Sequence, residues 1–162
     1  MCMFLSLGHT HEVVREYVQD PAILKQLKEY QQQNANLLQQ FDKLRQDMAN
    51  QNIESFEDLQ RYDQKGADAL VKLATETKSL QMQGRNIGFF GLTSTGKSTM
   101  INKLLNKEVA KTGAGETTTK IEPYDGQGYR LYDIPGRNDD MTYFSMEYVA
   151  FWKGLTARVV LL

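Results

Sequence analysis

Residues 91–98 read "GLTSTGKS", and no other stretch limits the fold so strongly. They match G-x-x-x-x-G-K-[ST], with Gly91, Gly96, Lys97 and Ser98 at the fixed positions. The preceding "NIGFF" (86–90) is a short apolar run that suits a buried parallel strand. The following "TMINKLLNK" sets Met100, Ile101, Leu104 and Leu105 at helical spacing. Strand, glycine-bearing turn and helix in that order predict an α/β domain that wraps an anion. The glycines let successive backbone N–H groups turn inward, and the helix start adds its positive end. Lys97 then sets a charge against terminal phosphates, and Ser98 offers a hydroxyl to Mg²⁺. The phosphate-binding candidates are Gly91, Leu92, Thr93, Ser94, Thr95, Gly96, Lys97, Ser98 and Thr99.

Two later stretches narrow the chemistry. "YRLYDIPG" (129–136) reads as a strand ending in Asp133, with Gly136 three positions on. Asp133 lies 36 residues beyond Lys97. An acidic residue at such a strand end can hold Mg²⁺ through water. The glycine can offer its N–H to a γ-phosphate and let the loop move when that phosphate leaves. Many phosphate-loop ATPases carry an acidic pair after this strand, whereas Ile134 follows Asp133 here. Between the two motifs, "KTGAGETTTKIEPYDG" (111–126) holds Thr117, Thr118 and Thr119 ahead of an extended run. A threonine there can bring its hydroxyl to Mg²⁺ and its N–H to the γ-phosphate. Threonine also favours strands for its own reasons.

The run from Asn86 to Gly136 resembles the G domains of translation-factor-like GTPases, and within them the immunity-related (interferon-inducible-type) family. The carriers are "INKLL", "TGAGETTTKIEPY" and "DIPG". The resemblance implies Mg²⁺-dependent GTP binding and hydrolysis, with GTP and GDP as ligands. It places Thr118 at the Mg²⁺-linked position, with Thr117 and Thr119 as rivals. Lys97, Thr118 and Gly136 are then the catalytic candidates, and Ser98, Thr118 and Asp133 the metal set. Arg137 stands where small GTPases such as Ras carry the glutamine that orients water. The family implies activation by G-domain dimerisation instead. It also implies a cytoplasmic protein with peripheral attachment to intracellular membranes.

Residues 1–83 differ in character from 84–162. Pro21, behind Asp20 as N-cap, opens a helix. Its seam is Ile23, Leu27, Tyr30, Asn34, Leu37, Phe41, Leu44 and Met48. Ser55 and Asp58 form a capping box for a second helix, striped by Phe56, Leu59, Tyr62, Leu70, Leu73 and Leu80. This predicts a helical hairpin, or a coiled coil that makes a homodimer. "TYFSMEYVAFWKG" (142–154) reads as a helix with Phe144, Tyr148, Phe151 and Trp152 inward, and "ARVVLL" (157–162) as a buried strand. The expected fold is α/β: an N-terminal helical hairpin, then a partial P-loop (Rossmann-like) G domain truncated after the strand at 157–162. No [NT]-K-x-D box occurs in the 162 residues, so the base-reading half is expected to be missing. Net charge −1 gives no reason to expect a nucleic-acid partner. The single cysteine, Cys2, excludes an intramolecular disulfide. Two rivals remain at this level: a non-enzymatic helical interaction module with a vestigial G domain, and a P-loop ATPase.

Overall fold

The computed structural model describes residues 21–92, 94–110, 121–134 and 144–162. Cys2 and the predicted cap Asp20 lie outside them. In chain order the elements are α1 (Pro21–Gln33), α2 (Ala35–Asn50), α3 (Phe56–Tyr62), α4 (Gln64–Glu76), β1 (Arg85–Gly91), α5 (Lys97–Leu105), β2 (Glu122–Asp125), β3 (Tyr129–Asp133), α6 (Met146–Gly154) and β4 (Ala157–Leu161). They form two compact units. Among the described residues, one holds 25–80 with 144–153, and the other 81–134 with 154–162 and the opening of α1. A division at 83/84 would put α6 with the sheet, whereas its contacts lie in the helical unit.

The helical unit departs from a simple hairpin because each expected helix is broken once. The first break is at Asn34, whose backbone is non-helical (φ −122°, ψ 36°). Its side-chain amide donates to Tyr30 O at 2.9 Å, so it competes with the helix instead of extending it. The second is at Asp63, whose carboxylate accepts from Gly66 N–H and starts α4 afresh. Tyr62, expected on the buried stripe, precedes this break and is 71% exposed. At the head of α3, Ser55 accepts from Asp58 N–H at 3.1 Å, as a capping residue should. The Asp58 carboxylate accepts from the Ser55 hydroxyl rather than from the Ser55 N–H, so the box is only half formed.

Leu38, Phe41, Met48, Ile53, Leu59, Ala67, Leu70, Leu73 and Met146 make the core of this unit. Full burial of each large side chain contributes about 1.5–3 kcal/mol. In α6, Met146, Glu147, Ala150 and Phe151 are buried, but Trp152, expected inward, is 42% exposed. The helix turns a polar group inward instead: the Glu147 carboxylate accepts from Gln31 Nε2 at 2.7 Å. Lys153 Nζ donates to Ala74 O, Thr75 O and Thr77 O, the carbonyls that end α4.

The sheet unit has strand order β2-β3-β1-β4. β1 runs parallel to β3 and to β4, and β2 runs antiparallel to β3. Phe89, Ile101, Ala110 and Leu131 form its core, with α5 supplying Ile101 and Leu105. β1 lies between two parallel partners and must be apolar on both faces. Gly88 is what the crowding allows there, since a Cβ would lie 2.7 Å from Leu155 Cδ1 and 2.9 Å from Ile134 Cδ1. Among the described residues β4 is an edge, with Val160 62% exposed. That agrees with reading 157–162 as a strand and corrects its expected burial. No described helix is long and apolar enough to cross a membrane.

Lys153→Met should remove the donor that satisfies the end of α4. Hydrogen bonds to a charged group contribute about 1.5–3 kcal/mol, so the urea midpoint followed by Trp152 fluorescence should fall by a corresponding amount. An unchanged midpoint would show that the three contacts contribute nothing to the helical unit.

Candidate functional site

Parallel pairing sends the C-terminal ends of β1, β3 and β4 to the same edge of the sheet. Phe89 is opposite Asp133, and Gly91 is opposite Leu161. The chain therefore leaves β1 two residues beyond the position that faces Asp133. Gly91 takes φ +148°, and a Cβ there would lie 2.5 Å from Leu161 O, a backbone atom. Only glycine fits where the loop departs so close to β4. Thr95 then closes a turn, its hydroxyl donating to Leu92 O at 2.8 Å. Ser94 (φ 66°) and Gly96 (φ 88°) are both left-handed.

Gly96 is the N-cap of α5 and has no side chain to accept the first-turn amides. The opening N–H groups of a helix have no acceptor within it, so they suit an anion. Lys97 is 6% exposed, and its Nζ donates to Gly91 O at 3.0 Å and Leu92 O at 2.8 Å. The ammonium thus folds back over the start of its own loop. Burial lowers its pKa from the ordinary lysine value, and the nearby Asp133 carboxylate offsets part of that. Ser98 Oγ donates to Asp133 Oδ2 at 2.6 Å, and Asp133 itself is 1% exposed. The structure therefore brings Lys97, Ser98 and Asp133 together, although 36 residues separate the first from the last. Leu92, Ser94 and Thr99 are exposed, and Thr95 is half-buried. Thr93, Thr117, Thr118, Thr119, Gly136 and Arg137 lie outside the described residues.

Ser98 and Asp133 supply hard oxygen donors, the kind that Mg²⁺ takes. Among the described residues there is no cluster of three or more His, Cys, Asp or Glu that could hold a metal. Mg²⁺ in phosphate sites is held by one or two carboxylates, with substrate phosphates and water completing the shell. The residues present fit that pattern and do not fit an all-protein cage.

Two features were not legible in sequence. Glu122 lies directly opposite Asp133 across the β2–β3 pair, and the Tyr124 hydroxyl donates to its carboxylate. Burial, then that carboxylate, raises the tyrosine pKa well above its ordinary value. The other is Asn102, whose side chain binds the backbone of Val109 and Ala110. Its only sequence signal is a weak helix former inside a helix.

Comparisons with known proteins fall on this half of the chain. Residues 86–161 match the family described as 50S ribosome-binding GTPase. The chain is similar to the probable GTP-binding protein EngB of Malacoplasma penetrans (strain HF-2), with 31% identity over 83 residues. That alignment covers 45% of this chain and 45% of the relative, so the chain spans less than half the relative's length. No solved structure matches. Both likenesses support a P-loop GTPase domain.

Gly91→Ala should destabilise the sheet unit more than Gly96→Ala. Both carry a positive φ, a strain of about 1–3 kcal/mol for a non-glycine residue. At Gly96 nothing lies within 4 Å of an added Cβ, whereas at Gly91 the β4 backbone must move. Denaturation of the two variants tests this, and equal losses would show that Leu161 O does not constrain the loop.

Proposed function

We propose that the chain binds GTP with Mg²⁺ and belongs to a GTP-hydrolysing protein. The observation that carries this is the Ser98–Asp133 contact beside Lys97 and a side-chain-free helix start. Loop amides from Gly91 to Thr99 hold phosphate oxygens, and Lys97 exchanges its bonds to Gly91 O and Leu92 O for bonds to the β/γ oxygens. Ser98 offers its hydroxyl to the metal, and Asp133 orients that hydroxyl or a metal-bound water. Mg²⁺, held by Ser98 and supported by Asp133, would supply charge neutralisation to the phosphates. Thr118 and Gly136 complete the set as contacts to the metal and to the γ-phosphate. Guanine, rather than adenine, is favoured by the names of the family and the relative matched. The finer reading, an immunity-related GTPase that dimerises through its G domain and attaches to membranes from the cytoplasm, is supported by the resemblance in "INKLL", "TGAGETTTKIEPY" and "DIPG", of which the second is the most specific.

Lys97→Ala should abolish triphosphate binding, because no other cation of the loop is held over it and a charge-assisted phosphate contact is strong. Calorimetry with a slowly hydrolysed GTP analogue checks this, and unchanged affinity would remove the phosphate-loop reading. ATP competition in the same assay separates the GTPase reading from the ATPase one.

Binding should also take up protons at alkaline pH. In the unliganded chain burial holds the Lys97 pKa below the usual lysine value. Phosphate oxygens favour the ammonium and raise it again. Between the two values a proton must be acquired on binding, so uptake grows as pH rises from neutrality. Titrations in buffers of different ionisation enthalpy measure it, and net release in that range would contradict the assignment.

A further inference from the structure

Directly opposite residues of an antiparallel pair project to the same face of the sheet, with Cβ atoms about 4.5–5.5 Å apart. Glu122 is opposite Asp133 in this way, and Tyr124 is opposite Leu131. Leu131 packs with Ile101 of α5, and Tyr124 packs against the same cluster. The shared face is therefore the one that α5 covers, and Ser98 reaches Asp133 there. Two carboxylates thus lie side by side on that face, Asp133 buried and Glu122 half-buried. Like charges directly opposite destabilise a sheet. Each of the two is met by a hydroxyl: Ser98 donates to Asp133, and Tyr124 donates to Glu122. Burial above all, then the carboxylates of Glu122 and Asp133, raise the Tyr124 pKa, so its hydroxyl stays a donor. Neither hydroxyl removes a charge. The Lys97 ammonium acts on Asp133 but is bonded to Gly91 O and Leu92 O.

We infer that Glu122, held by Tyr124, is the second carboxylate that supports Mg²⁺ in this site, acting on the ion through water from across the β2–β3 pair. This rests on the reading given under the proposed function. Mg²⁺ in phosphate sites is served by one or two carboxylates and keeps several waters. Glu122 supplies the second of these carboxylates from a strand that the phosphate loop does not belong to. Two charges that repel each other without a cation both attract the same divalent ion, so their juxtaposition costs stability and favours the metal together. The Tyr124 hydroxyl fixes the Glu122 carboxylate on the face that Asp133 occupies. Glu122 is thus a positioning residue for the metal. A purely structural role predicts something else: replacing Glu122 would lower stability and leave the Mg²⁺ dependence of nucleotide binding unchanged.

The test is calorimetry of the full chain with GDP, once in saturating Mg²⁺ and once in EDTA, and the ratio of the two affinities is the readout. Glu122→Gln keeps an acceptor for the Tyr124 hydroxyl and removes the charge. It should lower the ratio about tenfold, the size of the attraction between a unit charge and a divalent ion one water apart at high dielectric. Its urea midpoint by circular dichroism, without metal or nucleotide, should not fall, because a like-charge pair has been removed. Tyr124→Phe keeps the charge and loses its holder, so the ratio should fall by a smaller factor. Asp125→Asn is the control: it removes a β2 carboxylate that is opposite Arg130 and accepts from it, so the ratio should stay as in the wild type. An unchanged ratio in Glu122→Gln or in Tyr124→Phe, or an equal fall in Asp125→Asn, overturns the inference alone. A lowered midpoint in Glu122→Gln with the ratio unchanged assigns the residue a structural role instead. A wild-type chain that does not bind GDP with or without Mg²⁺ overturns the proposed function, and this inference with it.

Discussion

The hydrogen bond from Ser98 to Asp133 joins the first turn of α5 to the end of β3. It can form only if β1 and β3 are parallel neighbours in one particular register. A slip of one residue would turn Asp133 to the other face of the sheet. The register is held by burial on both sides of β1, with Ile87 opposite Leu131 and Gly88 opposite Tyr132. Leu131 and Tyr132 are each 1% exposed. The site therefore depends on the core beneath it, and its geometry is a consequence of strand packing.

The loop above that core is shaped by close approach. Gly91 passes the β4 backbone where no side chain fits, and Gly96 turns the chain into α5. Lys97 is buried in the same place, at an electrostatic cost that Asp133 partly offsets. The buried ammonium is held there by two backbone carbonyls, Gly91 O and Leu92 O.

The helical unit follows a different logic. Its apolar periodicity was readable, but its breaks at Asn34 and Asp63 come from short polar side chains that bond their own backbone. α6 belongs with it through Met146, the Glu147–Gln31 bond and the Lys153 contacts to the end of α4. None of these pairings has a local signature, since Gln31 and Glu147 are 116 positions apart. Trp152 faces solvent because Met146, Ala150 and Phe151 already fill the inward face.

By itself the sequence determined the phosphate loop, the strand and helix on either side of it, the Asp133 strand end and the α/β class. Each of these is local: glycine spacing, a short apolar run, and the 3.6-residue period are written in consecutive residues. Tertiary structure decided which elements are neighbours. It placed Ser98 on Asp133, set Glu122 across from Asp133, bound Asn102 to Ala110 and assigned α6 to the helices. Those outcomes depend on which apolar faces cover one another and which buried polar groups find partners. Such choices are made between residues far apart in the chain, where no local pattern records them.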